Sequence, residues 1–375
     1  MANPFSTSVY PVADQLWSIL DLLAKFIVPP EHAGTVSPFS DLHLKAGRPA
    51  YYRHQGELIV MEGGAILTQD LAEQLIRPFL TAKQFDQLQG TPPRDVDTSW
   101  YWTEKKINFR LNVFNDIDGL AVVLRVLPNT IPDIAEIGLP SDLVWREICM
   151  LQQGLVLVTG ATGSGKSTTI AAMLNHINRH RRVRVITLED PIEYIFQSNH
   201  ALFSQRELGR HMPSFADGLR SALREDPDII YVGELRDPET IALAMTASET
   251  GHLVFGTLHT RDTRSALTRI LDSMPASRAT ETATQLSLSL SYVLGQKLLA
   301  HQDGGRVLAM EVLKNTAGVA NLIRQGQVHQ INSMLETGKK EGMNSLESHL
   351  RSLVQEGKIS MDEAIQNANI PGSFR

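Results

Sequence analysis

The residues Gly160-Ala161-Thr162-Gly163-Ser164-Gly165-Lys166-Ser167 have the types and spacing of a phosphate-binding loop. In such a loop the glycines let backbone N–H groups turn inward around a polyphosphate, the lysine reaches the β- and γ-phosphates, and the final hydroxyl can hold magnesium. A nucleoside triphosphate with Mg2+ is therefore the expected ligand. Lys166 is assigned to the phosphates, Ser167 to the metal, and Thr168, the next residue, joins the nucleotide-binding set.

Two acidic clusters follow. Glu189-Asp190-Pro191-Ile192-Glu193 comes directly after the apolar run Val183 to Leu188, and Gly233-Glu234-Leu235-Arg236-Asp237 after Ile229 to Val232. In an open α/β sheet ligands collect at the carboxyl ends of strands, so both clusters point toward the nucleotide. Glu234 is expected to polarise the attacking water, and Glu189 to form a second catalytic station that touches magnesium through water. Asp190 and Glu193 stand close to a proline, where turn chemistry explains an acid equally well. His252 and His259 flank a further strand, Gly251 to Thr260. Spacing alone leaves them as core or surface residues, or as a relay of the γ-phosphate state. His and Cys never cluster at metal-ligand spacing.

These residues need a scaffold. The apolar strand Leu155 to Val158 feeds the loop, and Ile170, Met173, Leu174 and Ile177 form an apolar stripe on a helix from Lys166 to His180, whose positive end faces the phosphates. Short apolar strands alternating with amphipathic helices imply a largely parallel sheet covered by helices. Upstream, Asp41 to Lys45 alternates as a half-buried strand, and Ile107, Phe109, Leu111 and Val113 begin a hairpin that turns at Asn115 to Gly119 into the run Leu120 to Leu127. Val12, Leu16, Ile19, Leu20, Leu23 and Ile27 repeat at helical spacing, which predicts one helix packed on its own domain. Pro128, Pro132 and Pro140 mark a linker over residues 128–140. The reading is α/β, with a small domain over 1–127 and an ATPase domain over 141–375 whose last 80 or so residues are expected to be helical.

Composition narrows the class. Hydrophobic residues at 42% and charged residues at 20% describe a globular chain, and 375 residues suit two or three domains. With 35 basic and 41 acidic residues the net charge is −6, which argues against nucleic acid as the main partner. Cys149 is the single cysteine and is read as a buried thiol. The start lacks a signal peptide's pattern and no stretch nears the roughly 20 apolar residues that cross a bilayer, so a cytosolic location is expected.

Four motifs in this order resemble the secretion superfamily ATPases: a Walker A loop (Gly160 to Ser167), an acidic box (Ile186 to Tyr194), a Walker B region (Asp226 to Asp237) and a histidine box (Gly251 to Thr260). Within that superfamily the chain looks most like the type IV pilus retraction ATPases, through Ser40-Asp41-Leu42-His43-Leu44-Lys45-Ala46-Gly47 and Val319-Ala320-Asn321-Leu322-Ile323-Arg324. The resemblance covers about Asp14 to Arg375. It implies a PAS-like N-terminal domain joined to a RecA-like ATPase domain, assembled as a homohexamer at the cytoplasmic face of the inner membrane. The implied activity is ATP hydrolysis that powers pilus retraction and twitching motility. Its implied partners are an inner-membrane pilus platform protein and related pilus motor ATPases. It further places Arg110 and Arg125 toward the γ-phosphate, and His259, in the histidine box, joins the expected nucleotide-binding set. The segment Val28 to Phe39 resembles an insertion, and residues 1–10 extend beyond the usual start.

Three rivals remain. A pilus extension or type II secretion ATPase carries a further N-terminal domain and often a four-cysteine zinc site, for which one cysteine is too few. A type IV secretion ATPase shares the core but not the C-terminal resemblance. A non-hydrolysing assembly scaffold would bind nucleotide without turnover.

Overall fold

Apolar runs too short for helices alternate with amphipathic segments along this chain, and the computed structural model gathers them into two compact units. It describes residues 3–26, 39–54, 57–127 and 130–374. The first unit is Met1–Asn129 together with Asp190–Ile195, and the second is Thr130–Glu189 together with Phe196–Arg375.

The first unit opens with strands β1 (Tyr10–Val12) and β2 (Gln15–Trp17), which pair as a hairpin before helix α1 (Ile19–Phe26). This corrects the single helix expected from Val12. The helix start is set by Ser18 and Asp21, since the Asp21 carboxylate accepts from Ser18 N and Oγ at 2.7 Å each while Ser18 Oγ accepts from Asp21 N at 3.2 Å. Ile27, most of the inferred 28–39 insertion and Pro128 of the linker lie outside the described residues. There follow β3 (Phe39–Lys45), β4 (Tyr51–His54), β5 (Glu57–Val60), α2 (Gln69–Ile76), α3 (Ala82–Gln89), β6 (Val96–Trp102), β7 (Ile107–Asp116) and β8 (Gly119–Val126). Among the described residues six of these strands form an antiparallel sheet in the order β5-β4-β3-β8-β7-β6. Alternation sorts its faces: Leu42, Leu44, Phe109, Leu111, Val122 and Leu124 enter the core, while Asp41, Arg110 and Arg125 take the opposite phase. The β7–β8 turn is tighter than the sequence suggested. Asp116 pairs directly with Gly119, and Asp116 Oδ1 accepts from Asp118 N at 2.9 Å.

The second unit contains α4 (Asp142–Met150), β9 (Gly154–Thr159), α5 (Lys166–His180), β10 (Arg184–Glu189), β11 (Leu202–Glu207), α6 (Phe215–Ala222), β12 (Ile229–Val232), α7 (Pro238–Glu249), β13 (Leu253–Leu258), α8 (Thr263–Ser273), α9 (Ala279–Ser289), β14 (Leu290–Ala300), β15 (Arg306–Lys314), α10 (Ala317–Arg324), α11 (Ile331–Thr337), α12 (Leu346–Gln355) and α13 (Met361–Asn367). Among the described residues its sheet has the order β11-β10-β12-β13-β9-β14-β15, parallel from β11 to β14 with β15 antiparallel at the edge. Every residue of β9, β12 and β13 is buried, as expected of parallel strands covered on both faces. The expectation that the last 80 or so residues are helical is wrong for the β14–β15 hairpin, which runs to Lys314. Most of that hairpin is buried, so its sequence loses the period-two signature, and a short apolar run cannot be told from a buried helix by periodicity.

Candidate functional site

β9 delivers the chain to the loop and α5 takes it away. Gly165 is the N-cap of α5 at φ +86° and has no side chain to cap it, and the positive end of the helix dipole lies at the loop. Gly160 is required by close approach: a Cβ there would sit 2.4 Å from Gln296 O and 2.5 Å from Ser164 Oγ. Lys166 folds back over the loop and is buried, its Nζ donating to Gly160 O at 2.9 Å and Ala161 O at 3.0 Å.

The same ammonium lies 3.4 Å from His259 Nδ1. An ammonium has only protons to offer, so Nδ1 is the acceptor and the ring proton belongs on Nε2. That nitrogen is 3.5 Å from Glu234 Oε2, which also accepts from Arg236 Nε at 2.6 Å. The structure thus brings Lys166, His259 and Glu234, from three motifs, into one line of polar contacts. The neighbouring backbone holds them there. Thr257 Oγ1 donates to Gly233 O, Leu235 N donates to Thr257 O at 3.0 Å, and Thr159 Oγ1 accepts from Thr260 N at 3.2 Å.

Glu189 ends β10, buried, with Oε1 accepting from Thr187 Oγ1 at 2.6 Å and from Gln205 Nε2 at 3.2 Å. It occupies the carboxyl edge of the sheet, but β12 and β13 stand between its strand and β9. His252 lies at the opposite end of β13, with Nδ1 3.0 Å from Ala247 O, and is not brought to the loop. Asp190 and Glu193 belong to the first unit, where Asn108 Nδ2 donates to Ile192 O at 3.0 Å and to Glu193 O at 3.3 Å. Cys149 is buried with Sγ 3.8 Å from Met173 O, and burial pushes its thiol up to about 12.

Arg110 and Arg125, also in the first unit, are direct cross-strand partners on β7 and β8. Arg125 Nε donates at 2.6 Å to Oδ1 of the buried Asp41, its register partner on β3. Asp41 Oδ2 accepts from Ser40 Oγ at 2.7 Å and lies 3.9 Å from Arg53 Nε. Asp41 was missed because the polar phase of an alternating strand usually faces water. Its signal is a register, Asp41 to Arg125 to Arg110, that only sheet pairing reveals. Gln296, missed as well, carries no motif signal at all. Among the described residues no group of three or more His, Cys, Asp or Glu is placed to hold a metal, and no helix is long and apolar enough to cross a membrane.

The chain is similar to known proteins over most of its length. Residues 40–366 match the family described as type II/IV secretion system protein. The chain is 49% identical over 261 residues to a twitching motility protein of Neisseria gonorrhoeae, covering 69% of each. It is 41% identical over 335 residues to the type IV pilus retraction ATPase PilT of Pseudomonas aeruginosa, covering 89% of this chain and 96% of that one. Its fold superposes on the crystal structure of the pilus retraction motor PilT with bound ADP at a TM-score of 0.83 and 38% identity, over 95% of this chain and 98% of the other. With its α/β architecture, its phosphate loop and a match spanning both units, the chain belongs to the type II/IV secretion system protein family of ATPases.

Proposed function

We propose that this protein is a motor that hydrolyses ATP to ADP and phosphate and, as a homohexameric ring, powers type IV pilus retraction. The observation that carries the chemistry is the contact line from Lys166 through His259 to Glu234 at the carboxyl edge of the sheet. Retraction is supported by the likeness to the retraction ATPase and the twitching motility protein.

The loop fits a polyphosphate. Gly163 and Gly165 take positive φ and the α5 N-terminus has no side-chain cap, while the buried Ser164 Oγ has no protein partner. In this reading Gly160 to Thr168 bind the nucleotide and Lys166 neutralises its β- and γ-phosphates. Glu234 accepts a proton from the attacking water, and His259 links that carboxylate to the lysine, so that the state of the γ-phosphate is felt at both. Magnesium, held by Ser167 and through water by Glu189, would neutralise charge on the transferring phosphoryl group. Most of its shell would be substrate oxygens and water, the usual pattern for this ion. Arg110 and Arg125 are assigned to the γ-phosphate of the assembled ring on the family resemblance alone. The ring would work at the cytoplasmic face of the inner membrane, with the pilus platform protein and related pilus motor ATPases as partners.

Phosphate release by the purified protein tests the chemistry. Turnover that stops when magnesium is chelated is the expected result, whereas ATP binding without turnover would leave the non-hydrolysing scaffold.

A further inference from the structure

Gln296 stands on β14, outside every phosphate-binding motif. β14 runs parallel to β9 with Gly295 paired to Thr159, so Gln296 is level with Gly160, where the loop begins. The side chain is 1% exposed, and its Nε2 donates to Ser164 O at 2.7 Å across 132 residues of sequence. Ser164 O can only accept, which fixes the end of the carboxamide that faces it.

Thr169 N donates to Gly165 O at 3.0 Å and Gly165 is the N-cap of α5, so Ser164 stands one residue outside the helix. A phosphate loop works by turning its N–H groups inward, so its carbonyls must find partners elsewhere. Gln296 supplies one. It also meets the loop at two further points: a Cβ on Gly160 would lie 2.4 Å from Gln296 O, and a Cβ on Gly165 3.3 Å from its Nε2. One buried residue therefore touches the loop at its start, its middle and the cap of α5.

From this geometry, and resting on the nucleotide-binding reading above, we infer that Gln296 is a positioning residue for the phosphate loop. It holds the outward carbonyl of Ser164, and so the inward N–H array, before the nucleotide arrives. It touches no reacting atom. Its loss should therefore appear in nucleotide affinity and KM before it appears in kcat.

The test measures ADP binding by calorimetry on the full-length protein, alongside thermal unfolding and steady-state kinetics. Gln296→Leu removes the donor without adding charge, and should weaken ADP binding about tenfold or more, the scale of an unmade bond to a buried carbonyl. Gln296→Glu keeps the shape but sets a carboxylate oxygen against Ser164 O. Protonation restores an O–H donor, and burial raises the pH at which that happens. Its affinity, relative to the parental protein at each pH, should therefore recover as pH falls from 8 toward 5. If both variants fold and bind ADP as the parental protein does, the inference is overturned. Should Gln296→Leu not fold, Gln296→Glu decides alone, and a pH-independent ratio to the parental affinity counts against the inference. Lys166→Ala separates the two layers. Parental binding that Lys166→Ala abolishes and the Gln296 variants leave intact refutes only the role of Gln296, whereas absent parental binding refutes the nucleotide site.

Discussion

Lys166, His259 and Glu234 form a continuous polar line, and their substitutions should separate binding from chemistry. Lys166→Ala is expected to lose ATP-dependent function through lost phosphate contact. Glu234→Gln should retain ATP binding but turn over at least about a hundredfold more slowly, the scale of a lost general base. ATP affinity and steady-state hydrolysis on the purified variants check both, and near-parental turnover by the Glu234 variant would move the catalytic role to Glu189. For the hairpin arginines, Arg110→Ala and Arg125→Ala should each stay folded and depress hydrolysis by about 10³ if they act as arginine fingers. Parental rates from both in the assembled state would make them surface residues. Arg125 has a second tie, to Asp41, so its substitution also leaves a buried carboxylate without its 2.6 Å partner. A measured loss of stability in Arg125→Ala but not Arg110→Ala would reflect that pair. The phosphate loop and the acid after the Ile229 to Val232 strand stand out in the sequence because their chemistry dictates residue type at short fixed spacing, whereas spacing alone does not separate His259 from His252. Asp41 and Gln296 do not stand out, because each acts on a partner far away in sequence, through strand register.

At the scale of elements, parallel strands read well wherever a loop motif followed them. Ile229 to Val232 and Lys166 to His180 coincide with β12 and α5, whereas the β1–β2 hairpin and β14–β15 were hidden by apolar spacing that suits a helix as well as a strand. The C-terminal helices carry two expectations. On α10, Val319 and Ile323 are buried while Asn321, Arg324 and Gln325 are exposed, which leaves one polar face for a partner. Asn321→Ala with Arg324→Ala should preserve ATP hydrolysis in vitro while twitching is lost in cells. Loss of both together would assign α10 to the motor's own structure. On α12, buried His349 accepts from Met310 N at 2.9 Å through Nδ1, and burial holds its pKa below the ordinary value of 6.5. The unfolded chain thus takes up the proton first, so the stability from this contact is complete above about pH 6.5 and is lost as pH falls toward the lowered native value. His349→Asn, which keeps an acceptor but does not titrate, should show a shallower fall in thermal midpoint between pH 7.5 and 5.5. His43, His176 and His211 are lowered in the same sense, so only the difference between the two proteins isolates His349.

On the scale of the whole molecule, the chain is two compact units joined more than once, because Asp190–Ile195 leaves the second unit and packs in the first. The acidic box is thus divided, with Glu189 ending β10 and the residues after it clasped by Asn108 two positions before Arg110 on β7. No reading of the linker alone would find that connection. A motor that converts hydrolysis into pilus retraction predicts a particular imbalance in the cell. The most direct test is to delete the gene in its native host and to count surface pili while scoring twitching. Accumulated surface pili without movement are the expected result. Loss of surface pili would make the protein an extension ATPase, and pili and twitching both at parental levels would contradict a retraction motor.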